Sequence, residues 1–244
     1  MIMTFKQFFN KLFWFPADSN MPNKKGVIEL NARRYDSSLT YFKETLKANP
    51  KNVNVLNNEG VALNELANMK EGKEADDIFE QSFERFQKVL KIKPDYHEAL
   101  NNWGVALADY AEKKEGKEAD DLFEQSFEKY QKALEIKPDK HNALYNWGLA
   151  LYELAKKKDG KEADDLFNQS FEKLIKAEKI KGGAVTYNIA CLYSLKCNVN
   201  ESLAWLEKCL KNNSIPSRSH ILADSDLDNI KNKDEFLTLI GTYR

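Results

Sequence analysis

The stretch NNWGVAL, residues 101–107, returns as YNWGLAL at 145–151 and in a looser form as NNEGVAL at 57–63. Each copy sets a glycine in the middle of an apolar run. Around the central copy, Ala99, Leu100, Trp103, Ala106, Leu107, Tyr110 and Ala111 fall three and four residues apart, the spacing of one helical face. A glycine inside a helix is about 1 kcal/mol less favourable than alanine. Three such positions need a common reason. Close approach of a neighbouring helix supplies one, with the large ring of Phe127 or Tyr130 packed over the gap.

The same interval governs the rest of the chain. Pro50, Pro94 and Pro138 are 44 residues apart, as are Gly60, Gly104 and Gly148, and Gly72, Gly116 and Gly160. GKEADD stands at 72–77, 116–121 and 160–165, and residues 95–138 agree with 139–182 at 29 of 44 positions. A period between about 20 and 50 residues signals stacked structural repeats. Each unit reads as two helices. After the first comes KKEGKEADD, where Gly116 is expected to end helix one in the left-handed conformation. Helix two follows with Leu122, Phe123, Ser126, Phe127, Tyr130, Ala133 and Leu134 on one face, and Pro138 stops it. No strand-like alternation interrupts the pattern.

Placed in one frame, Leu100, Gly104, Ser126, Tyr130, Ala133 and Pro138 resemble the tetratricopeptide repeat (TPR), whose ordinary unit is about 34 residues. The three central units are ten residues longer, with the excess around EKKEGKEADD. Flanking units of ordinary length resemble the family through Gly26, Tyr35, Ser38, Phe42 and Pro50, and through Ala190, Tyr193, Ser202, Leu206 and Pro216. The expected organisation is an N-terminal aromatic segment (1–18), a solenoid (19–216) and a C-terminal capping segment (217–244). The solenoid divides into 19–52, 53–96, 97–140, 141–182 and 183–216. The stretch HILADSDLDNIKNKDEFLTLI resembles the segment that ends many bacterial arrays of this family. Plant mitochondrial import receptors are similar in lengthening the helices of such repeats, but they carry a C-terminal anchor that this chain is not expected to have.

The resemblance implies an all-α, right-handed superhelical solenoid of antiparallel helix pairs, whose first helices line a concave groove that holds a partner peptide. In the family frame, Asn58, Asn102, Asn146 and Asn188 recur at one groove-facing position. Each amide offers one acceptor and two donors, so the four form a candidate row for bonding the backbone of an extended peptide. Tyr145, Tyr152 and Tyr187, with Val105 and Leu149, are the candidate side-chain pockets. The same residues have a structural use, with the amides bonded to the neighbouring repeat and the rings packed between helices. The groove positions that grip a chaperone's C-terminal carboxylate in some relatives carry Asn54, Glu98, Asn142 and Ala184, and Asn57, Asn101, Tyr145 and Tyr187. None is a cation, which argues against that ligand.

Composition closes off other classes. Thirty-seven Lys and Arg balance thirty-eight Asp and Glu, so no basic excess points to nucleic acid. Three cysteines, Cys191, Cys197 and Cys209, without a CxxC or paired histidines, predict a reducing, cytoplasmic setting and no metal or other cofactor. Asp224, Asp226, Asp228 and Glu235 approach the spacing of a calcium loop. Asn229 and Lys231 stand where that loop needs glycine and an apolar residue, so helix capping is the expected role. No constellation for catalysis is present. The expected function is a non-enzymatic scaffold for a peptide or partner protein. The alternative is a membrane-associated receptor or tether. It rests on MIMTFKQFFNKLFWFP, where Phe5, Phe8, Phe9, Leu12 and Phe13 share a helical face beside Lys6 and Lys11. That segment could cap the first repeat, lie on a membrane surface through residues 1–15, or join copies into an oligomer.

Overall fold

The computed structural model describes residues 21–183, 185–212, 214 and 216–241. The expectations for segment 1–18 fall outside them. Among the described residues the chain is helical, without strands. Two compact units divide the described residues, one ending at Leu154 and the other beginning at Ala155.

In the first unit the helices are α1 (Met21–Asn31), α2 (Tyr35–Ala48), α3 (Val53–Asn68), α4 (Gly72–Ile92), α5 (His97–Glu112), α6 (Gly116–Ile136) and α7 (His141–Ala155). Successive helices pair as antiparallel hairpins, α1 with α2, α3 with α4 and α5 with α6. Each hairpin is too small to bury its own apolar face, so neighbours share a seam. Phe79 of α4 stacks on Tyr110 of α5 with ring centroids 4.7 Å apart, and Phe127 of α6 stacks on Trp147 of α7 at 6.3 Å. Phe42, Phe79, Phe86, Phe123 and Tyr130 are fully buried, and each contributes roughly 1.5–3 kcal/mol of apolar transfer.

Gly60 and Gly104 lie under rings, as the sequence predicts, and so does Gly26. A Cβ on Gly26 would meet Phe42 at 2.5 Å, one on Gly60 would meet Phe86 at 2.8 Å, and one on Gly104 would meet Tyr130 at 2.7 Å. Of the two rings expected over Gly104, Tyr130 is the one that covers it. A serine on the second helix clamps the same spot. Ser38 Oγ donates to the Gly26 carbonyl at 2.9 Å, and Ser82 Oγ to that of Gly60 at 2.8 Å. Ser126 departs from the pattern and donates to the Phe123 carbonyl within its own helix at 2.7 Å.

The clamp locates the extra length. Serine and glycine are 12 residues apart in the short first hairpin and 22 apart in the next. The added residues therefore all lie toward the hairpin tip, beyond the clamp. Short and long hairpins also turn differently. Arg33, with φ of 58°, takes the left-handed position in the short one, while Gly72, Gly116 and Gly160 take it in the long ones at 56–57°. Gly116 does not end helix one as expected. Helix one stops at Glu112, Lys113–Glu115 make the turn, and Gly116 opens helix two. The preceding Glu115 is extended, so the left-handed residue redirects the chain into the new helix rather than closing the old one.

The second unit contains α8 (Gly160–Ile180), α9 (Thr186–Leu195), α10 (Val199–Lys211), α11 (Arg218–Ala223), a 3₁₀ turn (Ser225–Leu227) and α12 (Asp234–Gly241). The α9–α10 hairpin repeats the short-hairpin clamp. Ser202 Oγ donates to the Ala190 carbonyl at 2.8 Å, again 12 residues away, and Cys197 takes the left-handed turn position. Ile221, Leu227, Ile230, Phe236 and Ile240 of the closing segment are buried. Asn229 Nδ2 fastens that segment to the Ser194 carbonyl at 3.0 Å.

Candidate interaction face

The first helices α3, α5 and α7 carry the candidate residues. Asn52 starts α3 by accepting from the backbone N–H of Asn54 and Val55, a side-chain cap that sets where the helix begins. Around α5 each side can be assigned by its partners. Gly104 faces Tyr130 of α6, Tyr110 faces Phe79 of α4, and Asn102 and Asp109 face α3. Val105, about 100° round from Gly104, shares its side with Asn101, which accepts from Asn146 of α7. Glu98, Asn101, Val105 and Ala108 lie along that side.

The amides do not present a row of free groups. Asn146 Nδ2 donates to Asn101 Oδ1 at 3.1 Å, Asn101 Nδ2 to Asn102 Oδ1 at 3.1 Å, Asn102 Nδ2 to Asn57 Oδ1 at 3.1 Å, and Asn57 Nδ2 to Asn58 Oδ1 at 3.4 Å. This relay crosses three first helices through buried side chains. Asn102 and Asn146 thus bond repeat to repeat, and Asn58 accepts from Asn57 within its own helix. Asn57 and Asn101 complete the relay, and sequence reasoning noted them only as non-cations. Their recurrence 44 residues apart was the available signal. The relay ends where the third copy has Tyr145 in place of asparagine.

Tyr145 and Tyr152 are each 1% exposed, Val105 3% and Leu149 8%. All four are buried in this chain. Asn188 and Tyr187 belong to the second unit and are also buried. Tyr187 donates its hydroxyl to Asp224 Oδ2 at 2.8 Å, which ties α9 to the closing segment. Burial raises the Tyr187 hydroxyl pKa far above its usual value, with Cys191 and Asp224 adding to the effect.

The charged groups near the face are paired. Asp109, buried, accepts from Asn64 Nδ2 and Asn68 Nδ2, both at 2.8 Å. Glu98 stands 3.4 Å from Lys140 Nζ and 3.2 Å from His97 Nε2. Glu59 pairs with Arg85 at 2.7 Å, and Tyr96 donates to Asn54 Oδ1 at 2.7 Å. In the second unit the buried Glu178 accepts from the N–H of Gly183 and Val185 and from Thr186 Oγ1, and meets Lys208 Nζ at 3.1 Å.

Two of the calcium-like carboxylates, Asp224 and Asp228, have partners close by in the chain. Asp224 Oδ1 accepts from the Asp226 N–H at 3.0 Å and caps the 3₁₀ turn, while Asp228 pairs with Lys231 at 2.6 Å. Cys191, Asp224 and Asp226 bring one thiol and two carboxylates within 4.8 Å of one another. Both Asp224 oxygens are already engaged by Tyr187 and the Asp226 N–H. Among the described residues no helix is long and apolar enough to cross a membrane.

Comparison with known proteins agrees with this architecture. PilW, a widely conserved type IV pilus biogenesis factor, is 17% identical with a TM-score of 0.66, over 91% of each chain. A thermophilic TPR protein of Thermus thermophilus is 20% identical with a TM-score of 0.63, over 78% of this chain and 89% of that one. PilF of Pseudomonas aeruginosa is 12% identical with a TM-score of 0.62, over 89% of this chain and 86% of that one. At these identities the likeness is one of fold: the TPR-like array of helix pairs. No curated protein matches the chain. A family model described as plant specific mitochondrial import receptor subunit TOM20 matches residues 32–142 and, one repeat on, residues 98–198. Together these matches span more than half of the chain, which belongs to this tetratricopeptide-like family.

Proposed function

We propose that the chain is a non-enzymatic interaction scaffold that holds a peptide, or a peptide segment of a partner protein, along the first helices α3, α5 and α7. One observation carries this reading. The amide relay from Asn146 to Asn58 fixes three consecutive first helices in register, so that Val61, Val105 and Leu149 recur on one side. Equally spaced apolar positions on a rigid stack suit alternate side chains of one peptide. In this reading Val105, Leu149, Tyr145 and Tyr152 contact the partner, and Asn58, Asn102 and Asn146 hold the helices that present them. Asn188 and Tyr187 brace the second unit.

The test is selection from a displayed random-peptide library on the full chain, followed by comparison with Val105→Glu. Enriched peptides should bind the wild type and lose at least about tenfold in affinity to the variant, a loss of roughly 1.4 kcal/mol, with unchanged far-ultraviolet circular dichroism. Equal binding to both proteins would move the interaction off this face.

The description of the matching family as an import receptor subunit favours a second form of the same reading. The scaffold then acts as a receptor at a membrane surface, tethered through the aromatic segment at residues 1–15. Co-sedimentation with anionic liposomes tests it. The full chain should pellet, and Phe8→Glu/Phe9→Glu should not.

A further inference from the structure

The long second helices end alike. Ile92 closes α4 and Ile136 closes α6, and they are 39% and 42% exposed. Lys88, Lys91 and Lys93 surround the first, Lys132 and Lys137 the second, and all five are exposed. A single exposed isoleucine is ordinary. Its return at the same helix end, one helical turn beyond a lysine each time, is a pattern. The short α2 lacks it, with Ala48 and Glu44 at the equivalent positions. In the second unit α8 carries it again, ending on Lys176, Lys179 and Ile180, the last 44% exposed. Successive second helices run the same way, so the ends of α4 and α6 share one edge of the first unit, opposite the hairpin tips.

Charge divides along the same helices. Residues 72–84 of α4 and 116–128 of α6 each hold one lysine and five carboxylates. Residues 85–93 hold four cations and no carboxylate, and residues 129–137 hold three cations and one carboxylate, with Asp95 and Asp139 following in the turns. The helix macrodipole accounts for that order but not for the isoleucines. Cations at the tips are paired, Lys70 with Glu74 at 2.7 Å, Lys113 with Glu71 at 3.2 Å and Lys114 with Glu118 at 3.0 Å. Among the described residues Lys88, Lys91, Lys132 and Lys137 form no ion pair, and Lys93 lies over the Tyr96 ring, 5.0 Å from its centroid. The edge thus offers ammonium groups on long apolar stems around an apolar side chain. That combination suits the boundary between lipid headgroups and acyl chains, whereas anionic lipid repels the acidic tips.

We propose that this edge rests on an anionic lipid surface, with Ile92 and Ile136 among the headgroups and the hairpin tips turned away. The contact is separate from the aromatic segment at residues 1–15 and does not rest on it. It also sets an orientation. Each first helix is antiparallel to its second helix, so α3 and α5 stand upright on the surface, and a peptide laid across them runs parallel to it.

Vesicle partition of the full chain tests it. Wild type is compared with Ile92→Glu/Ile136→Glu on phosphatidylcholine vesicles with and without phosphatidylserine. The control is Gln81→Glu/Gln125→Glu, which adds the same two charges at exposed positions nearer the tips of the same helices. Lys88→Gln/Lys132→Gln weakens the edge without placing a carboxylate on it. Partition onto the anionic vesicles should fall at least about tenfold for the isoleucine pair, by a smaller factor for the lysine pair, and less than about twofold for the control. Helicity should be unchanged throughout. Equal partition of the edge and control variants would overturn the inference, as would a wild type that ignores anionic vesicles. So would capture of soluble polyglutamate that depends on Ile92 and Lys88 while vesicles are ignored, since the edge would then belong to an acidic protein. Normal binding by Phe8→Glu/Phe9→Glu would remove the aromatic segment from the membrane and leave the edge on it.

Discussion

The ring of Tyr130 lies against the backbone of Gly104, so that a Cβ there would stand 2.7 Å from Cε1. Tyr130 is 1% exposed and cannot swing away. Gly104→Ala gains about 1 kcal/mol of helix propensity but overpacks a closed core, typically by about 1–3 kcal/mol. A net loss of stability is expected in urea unfolding. Pairing the change with Tyr130→Leu, the residue found 44 positions on at Leu174, should relieve the clash. Gly116→Ala makes the contrast, because nothing lies within 4 Å of that site and its φ is +56°. Its loss should come from backbone strain alone, roughly 1–2 kcal/mol.

The amide relay predicts non-additive losses. Asn102→Ala leaves Asn57 Oδ1 and Asn101 Nδ2 without their bonds to residue 102, at about 1–3 kcal/mol for buried groups. A double-mutant cycle of Asn57→Ala with Asn102→Ala should show coupling of about 0.5–1.5 kcal/mol. Additive single losses would mean the two amides do not act together.

The thiols should separate by rate. Burial holds the Cys191 thiol pKa well above its usual value, helped by Asp224 and Asp226, and pushes that of Cys209 up to about 12. Cys197 is exposed. Thiolate is the reactive form, so at pH 8 a disulfide reagent should modify one thiol per native chain quickly. The other two should react only as the second unit unfolds.

Acid should weaken both units. Burial lowers the pKa of His97, with Glu98 opposing and Lys140, Lys137 and Lys93 assisting, and burial also lowers that of His220 against Asp224. Each histidine therefore binds its proton more readily unfolded than folded. The stability linked to it is complete above the unfolded value near 6.5 and falls as pH drops below that value toward the folded one. Urea midpoints measured between pH 7.5 and 5 should decline, and His97→Gln should flatten part of the slope.

Much of the fold was legible because its rules are local and written three times. Glycine at 60 and 104 and the proline stops recur at a fixed interval, and each reports on the inside of one hairpin. The relay was harder to read. Whether Asn102 turns to a ligand or to Asn57 depends on the register between hairpins, which no single repeat encodes. Glu178 left a fainter trace. The earlier copies have Leu90 and Leu134 at its position, and the break from leucine to a carboxylate marked the place where the array changes partners and binds the N–H groups ahead of α9. The turn at Gly116 was misplaced by one element because a left-handed glycine closes one helix or opens the next with the same spacing.

The serine–glycine separations of 12 and 22 residues carry an evolutionary consequence. The long α3–α4 hairpin carries ten more residues than the short α1–α2 one without disturbing the joint beneath, much as the teeth of a comb can be lengthened while its spine stays the same. Insertion and trimming at the tips are therefore open to variation in this lineage. The spine tolerates only paired changes, a larger residue for glycine answered by a smaller one for the ring.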